Sequence, residues 1–264
     1  MKAIGFIGTG NMGGALAACV GASKKYKVLL CDRDTEKARA LAERIGGEVT
    51  DALDLCARCD YVFIGVKPNA VGAVAAEIRD ALKKSGAVAV SMAAGVSLAM
   101  LEGYLGAEAP IIRIMPNTPC SIGEGVILVC PNAAADGAAT DEFISALSGA
   151  GLVDRIEEKF IDAAAAVSGC GPAFVYMFTE ALADGAVACG LPREKALLYA
   201  AATARGAAQM IISTGKHPEL LKDEVCSPGG TTIEGVGALE RGAMRGVVSS
   251  AVVAAFEKTK LLAK

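Results

Sequence analysis

The first half of the chain alternates short, mostly apolar segments with longer segments of helical period. Residues 3–7, 27–31, 61–66, 87–90, 111–115, 126–130 and 152–155 read as strands. The segment 61–66 is apolar throughout, as a strand buried on both faces should be. Between them, 12–22, 35–45, 69–83 and 136–150 read as helices, and 35–45 carries polar residues along one face. Repeated strand–helix units of this kind predict a doubly wound, mostly parallel sheet.

The texture changes after Glu157-Glu158-Lys159. Beyond Phe160 no strand pattern is found, and helical patterns run over 161–189, 193–214, 217–225, 232–240 and 244–262. Gly190, Gly215 and Gly242 are placed as C-caps. The expected organisation is an N-terminal Rossmann-type α/β domain over 1–158, binding a dinucleotide, and an all-helical domain over 159–264. The helical part holds runs such as Ala163-Ala164-Ala165-Ala166 and Ala200-Ala201-Ala202, which suit close helix packing. A helical unit of roughly 100 residues this apolar would expose large patches alone, so it is expected to form a homodimer interface.

Composition narrows the function classes. The chain has 264 residues, 53% hydrophobic and 21% charged, with a net charge of −3, so it has no basic footprint for nucleic acid. The charge-free stretches 85–101 and 163–179 are interrupted by Gly and Ser and are expected to be core, not membrane spans. The N-terminus enters a strand directly after Lys2, with no cleavage pattern. Nine cysteines lie scattered in apolar runs, which fits reduced thiols and a cytoplasmic location. Cys56 and Cys59 form the only C-x-x-C and are read as two thiols on a short helix before a strand; no metal site is expected.

Gly8-Thr9-Gly10-Asn11-Met12-Gly13 is a G-x-G-x-x-G placed between an apolar strand and a helix, with Asp32 19 positions beyond Gly13 at the end of the second strand. Gly8 makes the tight turn, Gly10 admits the pyrophosphate and Gly13 lets the helix sit close to the strand. Asp32 is placed to accept a ribose 2′-hydroxyl, which favours NADH, while Arg33 beside it is placed to meet a 2′-phosphate, which favours NADPH; the sequence leaves both open. Val66-Lys67-Pro68, the small residues Ala93 and Ala94, and Asn117 fall at strand ends, where the ligand crevice of such sheets lies. Each has an alternative reading as turn chemistry or a solvated side chain.

Near the C-terminus, Ser227-Pro228-Gly229-Gly230-Thr231-Thr232 stops one helix, frees the backbone to turn, and opens another. The bare amides of Gly230, Thr231 and Thr232 form a receptor for a small carboxylate.

With these motifs the chain resembles, end to end, the pyrroline-5-carboxylate reductase family. The resemblance runs through the Gly-Asn-Met turn, Val66-Lys67-Pro68, Ala93-Ala94-Gly95, Met115-Pro116-Asn117-Thr118-Pro119, Ser168-Gly169-Cys170-Gly171-Pro172-Ala173, Gly190-Leu191-Pro192 and His217-Pro218. Its most specific part is Leu221-Lys222-Asp223 followed by the loop at 227–232. The resemblance implies reduction of a cyclic imine to L-proline with NADPH or NADH, and an intertwined homodimer often assembled as a pentamer of dimers. It implies that the loop with Ser227, Gly229, Gly230, Thr231 and Thr232 holds the substrate carboxylate, and that Thr232 bonds the ring nitrogen as the catalytic residue. The chain departs from the family pattern at Cys170, where serine is usual, at Glu224, where some relatives carry Asn, and at Asp32, which is not the common choice of NADPH-preferring members.

Two other classes compete. A β-hydroxyacid dehydrogenase wants a lysine on the long helix after the sheet, and 161–189 contains none. A non-catalytic dinucleotide sensor would keep the glycine turn without needing the threonine loop.

Overall fold

The structure is a computed structural model that describes residues 1–135 and 137–262. It divides into two compact units, one of residues 1–169 with the C-terminal segment from Ala255, the other of residues 170–254.

The first unit is built on eight strands: β1 (Ala3–Ile7), β2 (Lys27–Cys31), β3 (Glu48–Val49), β4 (Tyr61–Ile64), β5 (Val88–Ser91), β6 (Ile111–Met115), β7 (Gly125–Pro131) and β8 (Gly151–Arg155). Their order is β3-β2-β1-β4-β5-β6-β7-β8. All neighbours are parallel except β6 and β7. The short link from β6 to β7 is the reason, since a parallel return needs a crossover of a dozen or more residues. Strand order reverses between β1 and β4, which makes their carboxyl ends the switch point where such sheets bind ligands.

Among the described residues of 1–169 the α-helices are α1 (Asn11–Ser23), α2 (Thr35–Ile45), α3 (Ala52–Arg58), α4 (Val71–Ser85), α5 (Leu98–Leu105), α6 (Ala138–Leu147) and α7 (Glu158–Ser168). On one sheet face Phe6 and Phe63 are buried with Phe143 of α6 and residues of α1 and α2, the Phe6 and Phe63 rings stacked at 4.4 Å. The other buries Ile64, Ile78 and Leu101 against α4 and α5. Ile161 of α7 is fully buried in this second cluster, with Ala164 and Ala165 packed beside it, so α7 belongs with the sheet.

The pattern expected as one helix over 161–189 is therefore two, α7 and α8 (Gly171–Ala188), broken at Ser168-Gly169-Cys170. The helix expected from Asp136 begins outside the described residues at that position, and α6 starts at Ala138.

The second unit holds α8, α9 (Arg193–Thr214), α10 (Pro218–Val225), α11 (Thr231–Arg241) and most of α12 (Met244–Leu262). Its own core is small: Ala183, Ala196 and Ala200 are buried where α8 meets α9. Large apolar side chains stay exposed, among them Met177 at 70%, Leu198 at 64% and Ile212 at 77%. The stretch Glu158–Ala188 is long and apolar enough for a membrane span by length and composition alone, and it comprises α7 and α8. Gly215 and Gly242 are the C-caps of α9 and α11, as expected, Gly215 in the left-handed region and Gly242 at φ −77°, with Ala243 after it at φ 54°; α8 is capped by Cys189, and Gly190 follows it at φ +96°.

Candidate dinucleotide cradle and anion-binding loop

The turn after β1 is held by close backbone contacts. Gly8 sits at φ +98°, and a Cβ there would meet the Gly65 carbonyl oxygen at 2.6 Å. A Cβ on Gly13 would lie 2.2 Å from the Gly8 carbonyl oxygen, so only glycine lets α1 start this close to the strand. A Cβ on Gly10 would meet nothing within 4 Å. Gly10 is the N-cap of α1 and no side chain caps it, so the first amides of the helix have no side-chain partner there. Bare amides, a helix N-terminus and free volume over Gly10 fit a pyrophosphate. Gly65, which the sequence reading passed over, completes the cradle: its N–H donates to the Ile7 carbonyl at 2.7 Å, and its own Cβ would strike Gly8. A lone glycine at the end of an apolar strand was the available signal.

Asp32 is anchored to this turn. Its Oδ2 accepts from the Thr9 backbone N–H at 2.5 Å and from the Thr9 hydroxyl at 2.8 Å, and its Oδ1 accepts from the Asp34 N–H at 3.0 Å. Partial burial pushes the carboxyl up, but these hydrogen bonds outweigh it and hold Asp32 below the ordinary aspartate range. The sign follows: what this anchor contributes to stability is complete above the unfolded value and is lost as pH falls through the lower folded value. Arg33 is exposed beside it.

The other expected cofactor residues collect at neighbouring strand ends. Val66 follows β4, and exposed Lys67 and Pro68 lead into a short 3-10 turn, Pro68–Ala70. Ala93 is buried and Ala94 exposed just past β5. Asn117 is the exception. It is 7% exposed, its Nδ2 donates to the Ser168 carbonyl at 2.8 Å, and its Oδ1 accepts from the Val126 N–H at 2.8 Å. These bonds give Asn117 a structural role, its amide tying the end of α7 to β7.

A buried ion cluster that sequence reading missed fixes the other end of α7. Arg113 of β6, only 4% exposed, donates from Nη1 to Glu158 at 2.9 Å and from Nη2 to Asp162 at 3.0 Å. The same Glu158 oxygen accepts from the Leu98 N–H at 2.7 Å and so caps α5. In the sequence Arg113 is one charged position within the apolar strand 111–115. Replacing Arg113 with Met should lower unfolding free energy by about 2–3 kcal/mol in urea titration. That sits below the usual cost of breaking a buried pair, because both carboxylates are about one-third exposed.

In the second unit, α10 ends at Val225 and α11 begins at Thr231. Gly229 sits at φ +66°, and the Gly230 N–H donates to the Ser227 carbonyl at 3.0 Å. The Ser227 hydroxyl fills the space a Cβ on Gly230 would need, at 2.3 Å. Gly230, not a threonine, is the N-cap of α11, and no side chain caps it. The amides of its first turn stay free, which makes a carboxylate socket. Arg245 braces the loop's flanks, donating to Glu219 of α10 and to Glu240 of α11, both at 2.6 Å. Hydrogen bonds from Lys222 and then Arg245 bring Glu219 down to about 2. Glu224 is paired with Lys216.

Burial pushes both Cys56 and Cys59 up to about 12, which leaves them as neutral thiols at neutral pH. Among the described residues no three His, Cys, Asp or Glu side chains gather to hold a metal ion.

Comparison with known proteins agrees with both halves of this arrangement. Residues 158–262 match the family model described as pyrroline-5-carboxylate reductase dimerisation, and residues 3–95 match that of NADP oxidoreductase, coenzyme F420-dependent. The chain is 40% identical to the pyrroline-5-carboxylate reductase of Escherichia coli, covering 100% of this chain and 99% of the other. It is 41% identical to that of Pisum sativum, covering 98% and 95%. Among solved structures, the pyrroline-5-carboxylate reductase of Coxiella burnetii superposes with a TM-score of 0.93 at 32% identity, covering 100% and 99%. The pyrroline carboxylate reductase of Plasmodium falciparum, solved with NADP bound, gives 0.87 at 32% identity, covering 100% and 98%. Full-length identity at this level, with the glycine cradle and the Ser-Pro-Gly-Gly-Thr-Thr loop both in place, makes this chain a member of the pyrroline-5-carboxylate reductase family.

Proposed function

We propose that this protein reduces L-1-pyrroline-5-carboxylate to L-proline, the last step of proline biosynthesis, with NAD(P)H as hydride donor. The bound nicotinamide supplies the hydride; the chain supplies position and charge. The observation that carries the reading is the uncapped start of α11 behind the Gly229-Gly230 turn. The Gly230 amide, expected to share in this, is bonded to the Ser227 carbonyl at 3.0 Å, so the amides of Thr231 and Thr232 hold the substrate carboxylate, aided by a helix dipole worth ~0.3–1 kcal/mol. The Thr232 hydroxyl bonds the ring nitrogen as it becomes an amine. A cyclic imine is basic enough to be partly protonated near neutral pH, so a strong protein acid is not required, which suits a chain with a single histidine.

In this reading residues 1–158 bind the dinucleotide through Gly8, Gly10, Asn11, Met12, Gly13, Asp32, Arg33, Val66, Lys67, Pro68, Ala93 and Ala94. Residues 159–264 form the helical substrate-binding and dimerisation part. The exposed apolar faces of α8, α9 and α12 support a homo-oligomer, and the family's dimerisation match supports the same. We extend this to a pentamer of dimers in the cytoplasm, acting on a small molecule without nucleic-acid or membrane partners. The test is consumption of NADH or NADPH in the presence of pyrroline-5-carboxylate, with proline measured as product. Turnover with either reductant supports the reading, and none with both rejects it.

A further inference from the structure

We propose that Asp32 makes this chain discriminate against NADPH in favour of NADH, by presenting to the adenosine ribose a fixed carboxylate with one acceptor position left. The inference rests on the dinucleotide reading of the cradle at residues 8–13 and deepens it to a cofactor preference.

The geometry sets the count. An ionised carboxylate has about four acceptor positions, two on each oxygen. Oδ2 spends both on the Thr9 backbone and hydroxyl, and Oδ1 spends one on the Asp34 amide. One position on Oδ1 remains. A ribose 2′-hydroxyl is a donor and satisfies it. A 2′-phosphate brings only acceptor oxygens and about two negative charges, so it meets the carboxylate as a like charge.

Rotation would relieve this conflict in a free aspartate. Here Thr9, 2% exposed and itself within the glycine turn, holds the group by two hydrogen bonds. Turning Asp32 aside would leave the buried Thr9 amide and hydroxyl without an acceptor. The carboxyl is also held in its ionised form at neutral pH.

Arg33 does not reverse the balance. It stands between Asp32 and Asp34, and the segment 32–37 holds three acids (Asp32, Asp34, Glu36) against two bases (Arg33, Lys37). Glu36 is paired with Arg39, and the Asp34 carboxylate caps α2 through the Lys37 amide. A phosphate dianion asks for a net positive socket, and this surface is not one.

The test measures dissociation constants for NADH and NADPH by nicotinamide fluorescence on the purified protein without imine, then kcat/KM for each with it. Wild type should bind NADH about 10- to 100-fold more tightly. Asp32→Ser should level or reverse the ratio. Asp32→Asn, which keeps the shape and the Thr9 acceptor but removes the charge, should relax it by about tenfold; melting curves check that both variants fold. Thr9→Val, which frees Oδ2 from the hydroxyl alone, should relax the ratio by a few-fold. Equal or tighter NADPH binding by wild type, or an unchanged ratio in folded Asp32→Ser or Asp32→Asn, overturns the proposal and leaves the cradle reading standing. Binding of neither nucleotide overturns both.

Discussion

Gly13→Ala should raise the dissociation constant for the dinucleotide by about 100-fold, the scale on which a misplacement near 1 Å is felt. The added Cβ would stand 2.2 Å from the Gly8 carbonyl oxygen, far inside contact distance. That carbonyl has nowhere to go. The Gly8 N–H is bonded to the Cys31 carbonyl at 2.7 Å, and the turn backs onto Gly65, itself bonded to Ile7 at 2.7 Å. The start of α1 must move instead, and with it the amides offered to the pyrophosphate. Overpacking of this kind should also lower stability by about 1–3 kcal/mol. Gly10→Ala separates the two effects. Its Cβ meets nothing within 4 Å, so unfolding free energy should stay near wild type while dinucleotide binding falls, because the methyl occupies the approach to the backbone. Fluorescence titration with NADH and urea denaturation of both variants check this pair. Wild-type affinity in Gly13→Ala would remove the glycine turn from cofactor binding.

Thr232→Ala should lower kcat/KM for pyrroline-5-carboxylate by about tenfold or more, since a lost hydrogen bond to a charged group costs ~1.5–3 kcal/mol. Dinucleotide affinity should be untouched. Thr232 is the second residue of α11 and is half-buried, whereas Thr231 is exposed. The N-cap is Gly230, so Thr232 is not spent on capping and its loss should cost little stability. Thr232→Ser, which keeps the hydroxyl, should recover most of the rate. Wild-type kinetics in Thr232→Ala would remove this residue from the chemistry.

The long regular elements were legible because period and capping agree in them. β1, β2, β6, α2, α9 and α12 fall on their expected bounds. Two short elements were not. β3 is two residues long and α5 eight, with no clear helical period in the sequence. The signal for α5 was local: Ser97 caps it by accepting from the Met100 amide, as Asp51 caps α3, the short helix expected at Cys56, by accepting from the Leu53 and Asp54 amides. The glycine cradle and the threonine loop were readable because each chemical role maps onto a few consecutive residues. The bonds of Thr9 to Asp32, of Arg113 to Glu158 and Asp162, and of Asn117 to Ser168 were not, since these partners lie 23 to 51 positions away in the chain.

A crystal structure of the protein with oxidised dinucleotide and L-proline examines the whole scheme at once. The proline carboxylate should rest on the amides of Thr231 and Thr232, with its nitrogen at the Thr232 hydroxyl and its ring against the nicotinamide. Proline bound away from this turn, or the turn remote from the nicotinamide, would contradict it.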